Sequence, residues 1–166
     1  MLDLQSFLDY WPSVRNRTRR LLPLIPADRL EWVPDAGRWS LGDLARHLSG
    51  IERWMYAENV HGRATRYPGH GPDLADGLDA VIEYHDRCHE EAMGRFRALT
   101  PEQWVGRAVT PAGTSISTWK WGRAMIEHEA HHRGQIYVML GLLHVATPPL
   151  FGLTEPEVAA RSAARD

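Results

Sequence analysis

Residues 119 to 143 constrain this chain more than any other stretch. Apolar or small side chains recur at Trp121, Ala124, Met125, Ile136, Met139, Leu142 and Leu143, and no proline intervenes before Pro148. The run therefore reads as one long helix. Inside it stands Glu127-His128-Glu129-Ala130-His131-His132-Arg133-Gly134-Gln135. Four residues along a helix correspond to ~6 Å of rise and ~40° of rotation. His128 and His132 thus project from one face, continue the apolar stripe and point inward. Two inward imidazoles so spaced can grip one cation together.

The same letters match the zinc-peptidase pattern H-E-x-x-H, with Glu129 in the general-base slot. The longer form of that motif fails, because Gln135 and Val138 occupy the positions of its glycine and last histidine. Glu155 follows only beyond Pro148-Pro149, in a turn-rich tail. Glu129 and His131 are each rotated well away from the paired histidines. Glu129 is expected to be solvated or to sit behind a ligand, and His131 is not counted as a ligand.

With 166 residues, the chain is long enough for one domain with its own core. Its 19 basic and 21 acidic residues leave a net charge of -2, which gives no sign of a nucleic-acid surface. Cys88 is the single cysteine, so no internal disulfide can form and a reducing compartment is expected. The first residues lack a basic segment followed by an apolar one, and no apolar run approaches ~18 residues. A cytoplasmic location with no membrane contact is the expectation.

Three further amphipathic segments accompany the long helix. Leu4 to Leu24 carries a helical stripe with Pro12 inside it, where a kink or two abutting pieces are expected. Ser40 with Asp43 reads as a capping box that opens a second helix, bearing His47 beside its apolar stripe and ending at Gly62. A third helix is expected from about Ala75 to Leu99, with His85, Cys88 and His89 along it. Thr100-Pro101 starts a short turn of helix, residues 105 to 117 read as an extended excursion or a small hairpin, and Thr154-Glu155-Pro156-Glu157 opens a short terminal helix that frays over Ala163 to Asp166. Four long amphipathic segments with connectors of ~12 to 20 residues predict an all-α four-helix bundle with long inter-helix loops and a short C-terminal helix.

A convincing metal site needs a third protein ligand. His47 on the second helix and His85 and His89 on the third are the candidates. His61, His70 and His144 fall at helix ends or in loops and are expected to be solvent-exposed. His85 and His89 also read as a core histidine and its half-exposed neighbour, or as a donor at the pocket wall, and Cys88 as a small buried filler.

Gly-Arg-Trp-Ser-Leu-Gly-Asp-Leu-Ala-Arg-His-Leu at 37–48, taken with His-Glu-Ala-His-His-Arg-Gly-Gln-Ile at 128–136, resembles the DinB family of bacterial four-helix-bundle proteins, relatives of thiol-dependent transferases and isomerases. The resemblance runs from the first helix through the fourth and implies a bundle over residues 1–150 with a tail over 151–166. In that family one histidine and an H-x-x-x-H pair form a three-histidine divalent-metal site, which maps here to His47, His128 and His132. Zinc and nickel both suit such a donor set. The implied activity is metal-dependent transfer or isomerisation of a small molecule with a low-molecular-weight thiol. The rival expectations are a non-catalytic metal-binding stress protein, a metal-water hydrolase and the peptidase. A homodimer is also expected.

Overall fold

Two of the long helices begin where a polar side chain takes up an orphan backbone N–H group, and a third where glycine turns the chain. The computed structural model describes residues 3–35 and 38–163. Gly37, with which the first motif begins, and the last three residues, expected to fray, lie outside the described residues. Helix α1 spans Leu4–Arg19, capped by the Asp3 carboxylate on the Ser6 N–H. It runs unbroken through Pro12. Of the expected kink or two abutting pieces, the division into pieces is absent, and the buried Phe7, Trp11 and Val14 hold the helix on the core across the lost hydrogen bond.

Helix α2 spans Leu41–Ile51 behind the capping box of Ser40 and Asp43. The helical path continues through a π-helical turn, Glu52–Tyr56, and a last α-turn, Ala57–Asn59, before Gly62 turns the chain at φ +69°. Helix α3 spans Leu78–Arg97. It starts later than the apolar pattern suggests, because Gly77 at φ +85° breaks the path just before it. The short α4, Pro101–Val105, carries the Thr100–Gln103 capping box. An antiparallel pair follows, β1 (Arg107–Val109) with β2 (Ser115–Ser117), in the register Ala108 opposite Ile116. Helix α5, Thr118–Leu142, is the longest, and α6, Glu155–Ala163, buries none of its residues. The result is an all-α four-helix bundle of α1, α2, α3 and α5 with long loops and a short C-terminal helix. No helix among the described residues is long and apolar enough to cross a membrane.

The core consists of two apolar clusters. One gathers Leu21, Leu41, Leu44, Leu48, Val81, Ile136 and Leu140. The other gathers Phe7, Trp11, Met55, Ala92, Phe96, Trp104 and Met125. Here α5 approaches closely enough that a methyl built on Gly122 would lie 2.6 Å from the Trp104 ring. Along every bundle helix a polar layer separates the two clusters, with Arg15 on α1, Glu52 after α2, His85 and His89 on α3, and Glu129 on α5.

Arg15 is the centre of that layer. Its guanidinium lies 3.1 Å from Glu52 and 2.9 Å from Glu129, and all three side chains are at most 2% exposed. Glu52 also accepts from Trp11 Nε1 at 2.6 Å and contacts His89 Nδ1 at 2.8 Å. Burial opposes the charge on Glu52, but Arg15 and His89 hold its pKa below the ordinary value. Burial pushes the Glu129 carboxyl up, against the pull of Arg15. Glu129 is thus neither solvated nor free to serve as a base; it is engaged in the core. His85, fully packed, is pushed down to about 4 by burial and then by Arg15. Cys88 is buried filler, as expected, with its thiol pushed up to about 11 by burial.

Removing one partner of a buried ion pair costs ~3–5 kcal/mol, because the other charge is left uncompensated. Glu129→Ala is therefore expected to lower the melting midpoint by roughly 10 °C. A midpoint unchanged in scanning calorimetry would mean that Glu129 is not part of the framework.

Candidate metal centre

His47 is the seventh residue of α2 and is buried with Leu44 and Leu48 of the same helix. His128 and His132 are one turn apart on α5, which packs against both α1 and α2. The three rings meet. Nε2 of His128 lies 3.2 Å from Nε2 of His47 and 3.1 Å from Nε2 of His132, and one ligand atom from each residue falls within 4.8 Å of the others. His47 is buried and the other two are half-buried. Among the described residues this is the one cluster of three or more such side chains with cation-binding spacing.

Electrostatics keeps these rings neutral. Burial, then the neighbouring His128, His132 and His70, pushes His47 down to about 3. Burial, then His132 and His131, pushes His128 down to about 4. Burial also lowers His132, against a hydrogen bond to Gln135 that favours its cation. That bond joins His132 Nδ1 to Gln135 Oε1 at 2.6 Å. A carbonyl oxygen only accepts, so Nδ1 carries the proton and Nε2 presents a lone pair. On His47, Nδ1 lies 2.7 Å from the Tyr67 hydroxyl, which in turn lies 3.1 Å from His70 Nδ1.

Three imidazole nitrogens at this spacing fit a small cation. Metal–nitrogen bonds of ~2.0–2.1 Å in tetrahedral geometry place two ligand nitrogens ~3.3 Å apart. The observed 3.1 and 3.2 Å need only a small outward relaxation. Among the described residues no fourth histidine, cysteine or carboxylate joins the cluster, so an ion held by these three would have a position left for water or substrate. A cleft of about 870 Å³ begins at His132 and is lined by Trp39, Leu44, Arg38, His131, Met139 and Leu142. Trp39 stacks on His70 at 4.5 Å and on His132 at 5.7 Å, and meets His47 edge-on at 4.6 Å, walling one side of the site.

The sequence-based candidates sort cleanly. His47, His128 and His132 come together; His85 and His89 belong to the Arg15 layer instead, and His131 is exposed against the cleft. His61 and His70 are not solvent-exposed as expected. His61 is half-buried with Nε2 2.9 Å from the Arg95 carbonyl, and His70 packs on Trp39 beside the site. Tyr67 and Gln135 contact the cluster and His70 meets Tyr67 beside it, and none of the three is among the expected site residues. Gln135 is three residues after His132, so helical spacing alone could have paired them. Tyr67 and His70 lie in a loop, where no periodicity marks a residue that faces the site.

The family model of the DinB superfamily matches residues 11–136. Over 163 residues the chain is 22% identical to the uncharacterized protein YrdA of Bacillus subtilis (strain 168), spanning 94% of this chain and 92% of that protein. The crystal structure of a DinB-like protein from Bacillus cereus ATCC 10987 superposes with a TM-score of 0.78 at 16% identity, over 89% of this chain and 97% of that one. The mycothiol-dependent maleylpyruvate isomerase superposes with a TM-score of 0.67 at 15% identity, over 81% of this chain but 61% of that one. At these identities the structures share the fold.

The three rings titrate lower in the folded chain than in an unfolded one, where histidine stays near ~6.5. Below that pH the unfolded chain binds more protons, so stability present above ~6.5 is lost as the pH falls toward the folded values. Between pH 7 and 5 His47 alone accounts for about 2 kcal/mol, or roughly 5 °C in melting midpoint. Metal-free wild type is expected to lose midpoint over this interval, and His47→Ala to lose less. Parallel midpoint-against-pH curves for the two proteins would contradict this assignment.

Proposed function

This chain belongs to the DinB superfamily, and from that premise we propose that it holds one divalent metal ion, zinc or nickel, through His47, His128 and His132 and acts on a small molecule with a low-molecular-weight thiol. The observation that carries this proposal is the convergence of three neutral imidazoles with no fourth protein ligand beside them. The Gln135 bond fixes the His132 proton on Nδ1 and so turns the Nε2 lone pair of His132 toward the space the three rings share. A metal held only as a structural staple favours a closed fourth position, whereas no fourth histidine, cysteine or carboxylate among the described residues joins this cluster and a cleft reaches His132.

A bound divalent ion supplies Lewis acidity that lowers the pKa of a thiol sulfur, and the thiolate is the nucleophile. The chain's own residues do the rest. His47, His128 and His132 remain neutral at pH 7 and so keep their lone pairs for the ion. Trp39 closes one side of the site and restricts water there, while the apolar wall of Leu44, Met139 and Leu142 receives the body of the electrophile. The thiol co-substrate is supported by the fold shared with an isomerase whose own name states its dependence on mycothiol. The H-E-x-x-H peptidase lacks this support, since Glu129 is turned into the core and bound to Arg15.

We also propose a homodimer. Phe151 is 78% exposed and Val138 62% exposed, leaving apolar surface on and beside α5 that a second copy would cover. Sedimentation velocity at micromolar concentration is expected to give a species of twice the chain mass; a monomer alone would contradict the dimer.

Elemental analysis of zinc-reconstituted protein is expected to give one metal per chain. His47→Ala, His128→Ala and His132→Ala should each weaken binding by more than the roughly 10- to 100-fold that loss of an outer partner costs. Chelated wild type should keep its helical circular dichroism and a cooperative melt, because the two apolar clusters stand without the ion. A small thiol should shift the visible bands of the cobalt-substituted protein. Full occupancy in the alanine variants would refute the ligand set, and a cobalt spectrum indifferent to thiols would refute the thiol chemistry.

A further inference from the structure

The loop from residue 60 to residue 77 is tied down at both ends by contacts that have nothing to do with the histidines. At its start, Asn59 Nδ2 donates to the Arg63 carbonyl at 3.0 Å, and the Arg66 N–H donates to the Trp54 carbonyl at 2.9 Å. At its end, Arg46 Nε donates to the Ala75 carbonyl at 2.8 Å. Between these ties the chain contains Tyr67-Pro68-Gly69-His70-Gly71, with Gly69 at φ +93°. This middle is joined to the site by the Tyr67 hydroxyl on His47 Nδ1 and by the His70 ring against Trp39. Tyr67 is 41% exposed, so little burial of its own holds it there.

We propose that Tyr67, backed by His70, is a positioning residue for the His47 ligand, and that through it metal occupancy and the docking of the 66–71 loop segment are coupled. The proposal rests on the ligand set proposed above. For Nε2 of His47 to bind an ion, the ring's proton must sit on Nδ1. That nitrogen then needs an acceptor, and the Tyr67 oxygen is 2.7 Å away. The hydroxyl can accept from His47 while donating to His70 Nδ1 at 3.1 Å, so every member of the relay is satisfied in one consistent direction. A cation on Nε2 withdraws electron density from the ring and makes Nδ1–H a stronger donor, so the bond to Tyr67 strengthens when the site is loaded. Linkage makes the effect reciprocal. If the docked tyrosine tightens metal binding by some factor, the metal favours the docked loop by the same factor.

The loop carries its own reporter, since Arg66 is exposed and immediately precedes Tyr67. Trypsin cleavage after Arg66 under native conditions requires local opening of this segment. The experiment measures zinc affinity by competition with a chromophoric chelator, and the rate of the Arg66–Tyr67 nick with and without saturating zinc. Both are measured in wild type, Tyr67→Phe and His70→Ala. Zinc is expected to slow the nick in wild type. Tyr67→Phe should bind zinc roughly 10- to 100-fold more weakly and show little protection even when saturated, while its metal-free circular dichroism and melt match wild type. His70→Ala should fall between the two. Wild-type zinc affinity in Tyr67→Phe, or a wild-type nick rate indifferent to zinc, would overturn the coupling while leaving the ligand set intact. Failure of wild type to bind zinc at all would overturn the ligand set itself.

Discussion

One buried cation organises this bundle. Arg15 reaches from α1 into the middle of the molecule and bridges Glu52, just beyond α2, and Glu129, on α5. These are the two helices that carry the three histidines. Glu129 is the next residue after His128, and Glu52 begins the π-helical turn five residues after His47. A charge so completely desolvated cannot be left without its partners, so the two helices are held to a single relative placement. A slide of α5 by one turn would strand a carboxylate and a guanidinium in apolar surroundings. The same slide would separate His128 from His47. Fold and site therefore share one constraint, although the histidines touch none of the Arg15 atoms directly.

The site is built on the opposite electrostatic principle. Where the Arg15 layer is held by charges that attract, the histidine cluster is kept neutral by burial and by mutual repulsion among rings that would otherwise protonate. Neutral imidazoles are what a metal needs, and Gln135 and Tyr67 contact the Nδ1 atoms, leaving Nε2 to face inward on His132 and His47. The two principles meet on α5. Arg133, buried beside His132, donates to the Val14 carbonyl at 3.2 Å and so fastens the ligand-bearing helix to α1 a second time.

How much of this could be read from the sequence depends on the kind of signal. The four helices follow from apolar periodicity and from caps such as Ser40–Asp43 and Thr100–Gln103, because those are local interactions within a few residues. The pairing of His128 with His132 follows from helical spacing, and the choice of His47 over His85 and His89 came from the family motif. Glu129 was misjudged, because a carboxylate on a helix reads as solvated unless its distant partner is known, and Arg15 is 114 residues away. The same separation hid the role of His89, which meets Glu52 across 37 residues. Tyr67 and His70 were invisible for another reason. A loop has no periodicity, and only the folded path around Gly69 brings them to His47.

The most direct test of the three-histidine centre is X-ray absorption spectroscopy on zinc-loaded protein. The geometry predicts ~2.0–2.1 Å first-shell scattering from nitrogen or oxygen, with the outer pattern of about three imidazoles. A sulfur contribution near ~2.3 Å should appear once a small thiol is added. A spectrum without imidazole scattering, or with four protein ligands and no change on adding thiol, would contradict the account.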